Sequence, residues 1–352
     1  METHLQSLCQ SLKENADVSV LVANNSRQTV DEIVDNIQVA RLGRLFEMAS
    51  TSICLGMISR IKAAGAQIVH IHVPNPAATL AYLASGHSGK LVITYHSDVV
   101  RQKVLNGLFE PILQMLLRRA DAILVASPNY LATSQSLRNH KHRCHVVPLG
   151  VPQSCFEPAA PREVAARRKQ HAKPLILSVG RLVYYKGFEY LIRAMRSVPG
   201  HLLLIGKGPL KTALVELAIR LGVRNRVTFV SELAPEALHA AYHAADLFVL
   251  PSICRSEAFG MVQVEAMAAG LPVVNTNLPS GVPFVSPHGV SGLTVPPADS
   301  EALAEAINCL LNAPSLRSEY GRAGRERALK EFSSQTMTKR TIDVYRTILR
   351  AS

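Results

Sequence analysis

Residues 247–276 read LFVLPSICRSEAFGMVQVEAMAAGLPVVNT, and the fold prediction starts from this stretch. An apolar run, Leu247–Pro251, is followed by a polar turn, a helix-forming segment that includes Ala266–Ala269, and a second apolar run, Pro272–Thr276. Short, nearly continuous apolar strands separated by helices are typical of parallel sheets that are covered on both faces. The stretch therefore predicts one β-α-β unit of a doubly wound α/β domain.

The same alternation extends over almost all of the 352 residues, a length that suits two domains. The predicted strands are Val18–Ala23, Ile68–His72, Leu91–Tyr95, Ala122–Ala126 and His145–Pro148 in the first half, and Leu175–Val179, His201–Ile205, Val227–Val230, Leu247–Pro251 and Pro272–Thr276 in the second. We therefore predict two Rossmann-like α/β domains that face each other across a cleft.

The domain boundaries follow from composition. The stretch Gln153–Pro174 is rich in proline, alanine and charge, which is typical of a linker. We predict a first domain at 1–152, a linker at 153–173 and a second domain at 174–334. Residues 335–352 are predicted to form a C-terminal helix that packs back on the first domain.

Composition indicates a soluble globular protein, with 48% hydrophobic and 18% charged residues. There is no apolar run of about 18 residues or more, so no spanning helix is predicted. The polar N-terminus lacks the order of a secretory signal. The six cysteines are scattered without a C-x-x-C pair, as in a reduced cytosolic protein. We expect a cytoplasmic protein, and a peripheral location at the inner face of the membrane remains open.

The net charge of +12 suggests an anionic partner, such as nucleotide phosphates, lipid head groups or nucleic acid. Aromatic residues are few and tryptophan is absent, which disfavours nucleic acid because exposed bases need stacking platforms. Residues Arg101–Ala120 read as an apolar helix with basic ends. We predict a core helix that is broken near Pro111 and whose basic ends contact an anionic membrane.

Two glutamates dominate the chemistry of the opening stretch. Glu257 and Glu265 lie eight positions apart, and Gly260 between them starts a helix. A helix N-terminus suits a diphosphate, because its free N–H groups and partial positive charge face outward. Carboxylates accept hydrogen bonds from sugar hydroxyls. An amphipathic helix with two solvated glutamates remains the alternative.

Two further loops follow predicted strands. In Ser178–Gly187, Arg181 and Lys186 are placed to hold phosphate oxygens, although the residues taken alone favour an ordinary basic surface turn. The stretch Ile205–Leu210 begins like a dinucleotide fingerprint but has Lys211 where the last glycine is required. It predicts a tight turn that lines the cleft and disfavours a nicotinamide cofactor.

Histidines follow strands of the first half. His96 in Thr94–Asp98 follows a strand, which places it at the cleft edge, although a lone histidine at a strand end is more often structural. His70 and His72 alternate along another strand and raise the question of a metal. No third ligand lies at a suitable spacing, and there is no Asp-x-Asp triplet, so no metal site is predicted.

Together these segments resemble the family-4 retaining glycosyltransferases of the GT-B fold, from Met1 to about residue 345. Similar bacterial members include phosphatidylinositol mannosyltransferases and inositol-phosphate N-acetylglucosaminyltransferases. The most specific match is the E-x7-E motif of Glu257 and Glu265. The other matches are Gly180-Arg181 with Lys186-Gly187, Gly206-Lys-Gly-Pro209 with Lys207 in place of an acid, the His-Ile-His-x-Pro-Asn and Thr-Tyr-His segments, and Val147–Val151 with Leu149 in place of asparagine.

The resemblance implies metal-independent, retaining transfer of a hexose, with mannose favoured, and no cofactor. The donor is a GDP or UDP sugar, and the acceptor is a glycolipid, a polyprenyl-linked glycan, another polysaccharide precursor or a small polyol. The implied donor-binding residues are Gly180, Arg181, Lys186, Gly206, Glu257, Phe259, Gly260, Met261 and Glu265. The implied catalytic residues are His96, Glu257, Arg181 and Lys186, and the implied acceptor-side residues are Thr3, His4, His72 and His96.

The same resemblance assigns roles. Glu265 binds the ribose, Arg181 and Lys186 bind the diphosphate, and Glu257 binds sugar hydroxyls. His96 bonds a sugar hydroxyl or a backbone carbonyl near the reacting carbon. The sequence offers no evident nucleophilic carboxylate, so attack on the same face as the leaving phosphate is expected, with Arg181 and Lys186 stabilising the charge on that phosphate.

The chain opens directly with a helix whose apolar face is Leu5, Leu8, Cys9 and Leu12. The family's first domain normally begins with a strand and a glycine-rich loop before such a helix. We therefore expect the native product to extend upstream by roughly 15–20 residues, and the present form to be aggregation-prone and nearly inactive.

Two alternatives to a transferase remain open at this point. A nucleotide-sugar 2-epimerase shares the two-domain architecture and needs no acceptor. A non-catalytic nucleotide-sugar-binding subunit is suggested by the missing N-terminal loop.

Overall fold

The computed structural model describes residues 2–48, 51–98, 103–171 and 174–351, without the side chains of residues 2–4, 48, 51 and 103–108. Contacts divide the chain into two compact units. The first unit holds the residues up to Pro148 together with those from Ser334 onward, and the second holds Leu149–Ser333. Within the described ranges, no helix combines the length and the apolarity that crossing a bilayer requires.

The second unit is built around one six-stranded parallel sheet of order β12-β11-β10-β13-β14-β15. Its strands are β10 (Leu175–Val179), β11 (His201–Ile205), β12 (Val227–Val230), β13 (Leu247–Val249), β14 (Val273–Thr276) and β15 (Gly292–Val295). Most of these strands are apolar and buried along their whole length, as expected for a sheet with helices on both faces.

Helices cover this sheet and supply its core. They are α6 (Pro161–Gln170), α7 (Phe188–Ala194), α8 (Lys211–Arg220), α9 (Pro235–Ala244), α10 (Met261–Ala268), α11 (Val282–Val285), α12 (Ser300–Asn312) and α13 (Pro314–Glu331). One core cluster joins β10 and β11 to α7, α8 and α12. The start of α12 is capped by Asp299, whose carboxylate accepts hydrogen bonds from the backbone N–H groups of Glu301 and Ala302.

The predicted linker is wrong for most of its length. Gln153–Phe156 forms a 3₁₀ turn and Pro161–Gln170 forms α6, which packs against α9. The Arg168 guanidinium donates to the carbonyls of His243 and Ala244 at the end of α9. The charged residues that suggested a linker are the solvent face of this helix, and the second unit begins at Leu149.

The first unit contains a parallel sheet of order β6-β7-β8-β9 and two smaller sheets. The parallel strands are β6 (Ile68–Val73), β7 (Lys90–Tyr95), β8 (Ala122–Val125) and β9 (Cys144–Val146). The smaller sheets are β1-β3-β2, made of β1 (Ser19–Ala23), β2 (Val30–Val34) and β3 (Ile37–Leu42), and the hairpin of β4 (Phe46–Met48) and β5 (Thr51–Ile53). All ten strands predicted from the sequence are found, but β2–β5 and β15 were missed, and β2, β4 and β5 pair antiparallel.

The helices of the first unit are α1 (Glu2–Leu12), α2 (Gly56–Ala63), α3 (Pro76–Ser85), α4 (Lys103–Arg119), α5 (Pro128–Thr133) and α14 (Ser334–Arg350). Leu8 and Leu12 of α1 and Met337 and Val344 of α14 share one core with the parallel sheet. The predicted break at Pro111 is wrong, because α4 continues through it. In the described part of α4, Leu113, Leu116 and Leu117 are buried, so this face is core.

Candidate functional site

The order of the second sheet indicates one place for a candidate ligand site. From β10 the chain crosses to β11 and β12 on one side and then to β13, β14 and β15 on the other. Binding sites of open α/β sheets lie beyond the carboxyl ends of the strands, at the point where the order reverses. The loops that follow β10 and β13 meet at that point, and they carry most of the residues that the sequence singled out.

Two glycine turns form the floor of this region. The Gly180 N–H donates to the Ile205 carbonyl at 2.9 Å, and the Leu182 N–H donates to the Lys207 carbonyl at 2.8 Å. A Cβ on Gly206 would lie 1.9 Å from the Gly180 carbonyl oxygen, so only glycine permits this approach. The tight turn predicted at Ile205–Leu210 is therefore present, and it is bonded to the turn after β10.

A buried ion pair joins the loops after β10 and β13. The Lys186 Nζ lies 2.6 Å from the Glu257 Oε2, and the two residues are only 8% and 7% exposed. The Ser252 hydroxyl donates to the same Oε2 at 2.9 Å. The Ile253 N–H also donates to the Tyr185 carbonyl at 2.9 Å, which fastens one loop to the other.

This ion pair decides between two readings of the sequence. Glu257 is not a solvated residue of a helix face, because it precedes α10 and is buried. Lys186 is not part of an ordinary surface turn. The sequence assigned the two residues to different parts of a donor, whereas in the structure each neutralises the other. Ser252, which holds the carboxylate, was missed.

Arg181 and Lys186 are both predicted to hold phosphate oxygens, but their surroundings differ. Arg181 follows Gly180 at the end of β10 and is exposed. Its guanidinium makes no hydrogen bond or ion pair with the described residues. Its guanidinium is therefore available to an anion without the exchange of partners that Lys186 requires.

The start of α10 completes the same edge of the sheet. Gly260 caps the helix with φ 76°, a left-handed conformation that glycine adopts without strain, and the partly exposed Met261 is the first helical residue. The Phe259 side chain does not face the site. Its ring is 3% exposed and packs edge-on against Phe332, with 5.7 Å between centroids. The apolar ring is drawn into the core, so only the backbone of Phe259 is left for a ligand.

Glu265 lies on α10 and is held by a residue that the sequence did not suggest. The Tyr242 hydroxyl of α9 donates to the Glu265 Oε2 at 2.7 Å. Burial raises the pKa of Glu265 above its ordinary value, while the hydrogen bond from Tyr242 and the charge of Lys186 oppose this rise. The two glutamates thus have different partners, a cation for Glu257 and a neutral hydroxyl for Glu265.

Buried amides hold the loop between these glutamates in place. The Gln263 Nε2 donates to the carbonyls of Phe259 and Val282, and the Asn275 Nδ2 donates to the Gln263 Oε1 at 3.1 Å. The Thr276 hydroxyl donates to the Ser252 carbonyl. Because buried polar groups are costly unless they are bonded, this network fixes the backbone from Ser252 to Gly260.

The first unit brings its own predicted residues together. His72 on β6 and His96 after β7 are joined by a 2.9 Å contact between Nδ1 and Nε2. The His70 ring stacks on His72 and contacts the Thr94 and Tyr345 hydroxyls at 2.7 and 2.6 Å. The side chains of Thr3 and His4 lie outside the described residues. In the described part of the chain, no three His, Cys, Asp or Glu residues group as a metal site would require.

Comparison with known proteins identifies the family. Residues 1–154 match the model described as Glycosyltransferase Family 4, and residues 160–327 match the model described as Glycosyl transferases group 1. The chain is 33% identical to O-antigen chain mannosyltransferase C of Escherichia coli over 308 residues, which cover 87% of this chain and 82% of that protein. This chain belongs to the family-4 glycosyltransferases. It is also 32% identical to the D-rhamnosyltransferase WbpZ of Pseudomonas aeruginosa over 290 residues, 82% of this chain and 76% of that one.

Solved structures show that this glycosyltransferase has the GT-B fold. Sucrose-phosphate synthase from Thermosynechococcus elongatus superposes with a TM-score of 0.82 and 26% identity, covering 99% of this chain and 94% of that one. The Anabaena protein HepE, solved in complex with UDP-glucose, gives a TM-score of 0.78 at 19% identity, with 98% and 95% covered. The resemblance and the two α/β domains inferred from the sequence are thereby confirmed.

Proposed function

We propose that this glycosyltransferase moves a hexose, with mannose favoured, from a nucleotide-diphosphate sugar to a glycolipid or polysaccharide-precursor acceptor. The observation that carries the proposal is the meeting of Lys186, Glu257 and the start of α10 at the switch point of the second sheet. The names of the two relatives, a mannosyltransferase of the O-antigen chain and a D-rhamnosyltransferase, support the sugar and the acceptor class. The UDP-glucose complex of HepE supports a nucleotide-sugar donor, with GDP and UDP both open.

The donor is held by the second unit in this proposal. In this proposal the backbone N–H groups at the start of α10 face the diphosphate, the Gly180 and Gly206 turns lie beside it, and Arg181 adds a charge. Glu265 accepts from the ribose hydroxyls and Glu257 from hydroxyls of the sugar. Lys186 exchanges part of its contact with Glu257 for the leaving phosphate.

We further propose retention without a metal ion. The developing charge on the leaving phosphate is met by Arg181 and Lys186, which supply positive charge where a divalent ion would otherwise be needed. The acceptor hydroxyl attacks from the face that the phosphate leaves, and the phosphate takes its proton. His96 in the first unit holds a hydroxyl near the reacting carbon, and His72 fixes the His96 ring. Transfer that stops in EDTA, or an inverted product, would contradict this mechanism.

A basic surface of the first unit suits contact with an anionic membrane at the cytoplasmic face. The Arg143 guanidinium donates to the carbonyls of Arg118 and Ala120, which joins the end of α4 to the 3₁₀ turn Arg138–Arg143. The exposed cations of this surface are Arg118, Arg119, Arg138 and Lys141. Each basic residue near an anionic bilayer adds about 1 kcal/mol to binding.

Vesicle sedimentation tests this surface. Arg118→Glu with Lys141→Glu is expected to reduce binding to vesicles that contain phosphatidylglycerol, without affecting the weaker binding to pure phosphatidylcholine. The matched control is Arg193→Glu with Arg220→Glu, two exposed arginines of the second unit. If both double variants lose the same amount of vesicle binding, net charge alone explains the effect and the proposed membrane-binding surface is wrong.

Nucleotide release separates the transferase from its two alternatives. A transferase releases nucleotide only when an acceptor extract is added, a 2-epimerase releases it without an acceptor, and a binding subunit releases none. Calorimetry with GDP, UDP and ADP identifies the base. Glu265→Ala is expected to weaken the preferred nucleotide roughly ten- to hundredfold, because hydrogen bonds to a charged group contribute about 1.5–3 kcal/mol each.

A further inference from the structure

The hydroxyl of Tyr242 meets the helix that carries the E-x7-E motif. It donates to the Glu265 Oε2 at 2.7 Å, and the Tyr242 side chain is only 3% exposed. Its ring lies against Phe248 of β13, with 5.9 Å between centroids. A ring packed on the central sheet has little freedom to move, so its hydroxyl is a fixed point for the flexible glutamate.

The two oxygens of Glu265 are not equivalent. Oε2 is bound to Tyr242, whereas Oε1 has no hydrogen-bond partner among the described residues. The carboxylate is partly buried, and a free oxygen in that position still has acceptor capacity to satisfy. An oriented carboxylate with one open oxygen is suited to a ligand that donates hydrogen bonds, and a ribose presents two adjacent hydroxyls.

We propose that Tyr242 is a positioning residue, which holds Glu265 so that Oε1 receives the ribose hydroxyls of the donor. This inference rests on the proposed function, in which Glu265 binds the ribose. Without the hydroxyl of Tyr242, the glutamate side chain samples several rotamers, and the ligand must bear the cost of ordering it.

The charges around Glu265 give the proposal a signature in pH. Burial raises the pKa of the carboxyl, and Tyr242 and Lys186 lower it. Cys155 in the 3₁₀ turn is neutral, since burial and the nearby Glu265 raise the pKa of its thiol to about 12. Arg325 of α13 donates to the Ala268 and Phe156 carbonyls near the end of the same helix. Removing the Tyr242 hydroxyl therefore raises the pKa of Glu265 further.

The test is Tyr242→Phe, which keeps the ring and removes only the hydroxyl. Calorimetry with the preferred nucleoside diphosphate is expected to show affinity about tenfold weaker at neutral pH, with kcat at saturating donor within about twofold of the parent. Affinity falls as pH drops, because the protonated carboxyl no longer accepts two hydrogen bonds. In the variant this fall is expected at a higher pH than in the parent.

Tyr320→Phe is the matched control, because Tyr320 is a buried tyrosine of the same unit. An equal loss of affinity in both variants, or a loss in Tyr242→Phe that is uniform in pH, would show a merely structural role and overturn the proposal. Parental affinity in Tyr242→Phe, while Glu265→Gln binds weakly, would overturn the proposal but leave the proposed function standing. A parent chain that binds none of GDP, UDP and ADP would overturn both.

Discussion

The carboxyl ends of the two parallel sheets carry different chemistry. In the second unit the strand ends present an ion pair, Lys186 with Glu257, above two glycine turns. In the first unit, His72 and His96 lie where β6 and β7 end and His70 lies earlier on β6. Their imidazoles are joined to each other and to hydroxyls by ring contacts and hydrogen bonds. The edge of the sheet in the second unit therefore carries full charges, and the edge in the first unit carries groups that both donate and accept hydrogen bonds.

This difference agrees with the two halves of a glycosyl transfer. A diphosphate gains charge as it leaves, so its site benefits from fixed cations and oriented N–H groups. A hydroxyl acceptor is neutral, so its site benefits from groups that donate and accept in turn. The contrast predicts that substitutions in the second unit affect donor binding and the rate of departure, while those at the histidines affect transfer alone.

The largest effect is expected for Lys186→Ala. The substitution leaves the Glu257 carboxylate buried without its cation, which costs about 3–5 kcal/mol of unfolding free energy. It also removes positive charge from the leaving phosphate, and we expect kcat to fall roughly 100- to 1000-fold, as for other lost electrostatic contacts. Urea unfolding and a transfer assay at saturating donor measure the two losses.

A double variant separates stability from catalysis. Lys186→Met combined with Glu257→Gln removes both charges and keeps the volumes, so most of the stability is expected to return. Activity is not expected to return, because the phosphate still lacks its cation. If both stability and activity return, the ion pair is structural and the assignment of Lys186 to the leaving phosphate is wrong.

Gly206→Ala tests the glycine turns, with a smaller effect. The new Cβ would lie 1.9 Å from the Gly180 carbonyl oxygen, so the two turns must separate. We expect a loss of about 3 kcal/mol in unfolding free energy and weaker nucleotide binding. Gly222→Ala is the control, since Gly222 has φ 70° but no atom within 4 Å of the added Cβ, and it should lose only about 1 kcal/mol. Similar losses in both variants would show that backbone conformation, and not the contact, is responsible.

The strands could be predicted because each carries a short apolar run, whereas the missed hairpin has a different signal. β2 and β3 mix polar and apolar residues without a continuous apolar run, and they are joined by Asp35-Asn36, both with positive φ. A two-residue Asp-Asn turn between two such segments favours a hairpin. The prediction of a fully parallel sheet in the first unit took no account of this turn, so the hairpin was missed.

The site was predictable in its residues but not in their contacts. Motif spacing pointed to Lys186, Glu257 and Glu265, because all three follow or flank predicted strands. The pairing of Lys186 with Glu257 joins positions 71 residues apart, and Tyr242 reaches Glu265 from a neighbouring helix. Such contacts depend on tertiary packing, which also turned the Phe259 ring into the core.

His96→Ala is expected to reduce transfer by about tenfold, the effect of one lost hydrogen bond of about 1.5 kcal/mol. Nucleotide affinity should stay at the parental level, because the donor residues all belong to the other unit. His96→Gln keeps a side chain that donates and accepts, and it should recover part of the rate. A fall in nucleotide affinity for His96→Ala would contradict the prediction that the histidines of the first unit affect transfer alone.

The smallest effect is expected for Glu265→Gln, in stability. The folded-state pKa of Glu265 is raised above its ordinary value of 4.5, so folding favours the neutral carboxyl. The contribution of this group to stability is therefore complete below pH 4.5 and is lost as pH rises through the raised pKa.

Glutamine is always neutral and still accepts a hydrogen bond from Tyr242, so the Glu265→Gln variant does not lose this stability as pH rises. At neutral pH we expect a higher Tm than in the parent, and near pH 4 we expect no difference. The same variant should bind the nucleotide more weakly, because its amide accepts less strongly than a carboxylate. A Tm difference that does not change with pH, measured by calorimetric scans between pH 4 and 8, would mean that the raised pKa is not the cause.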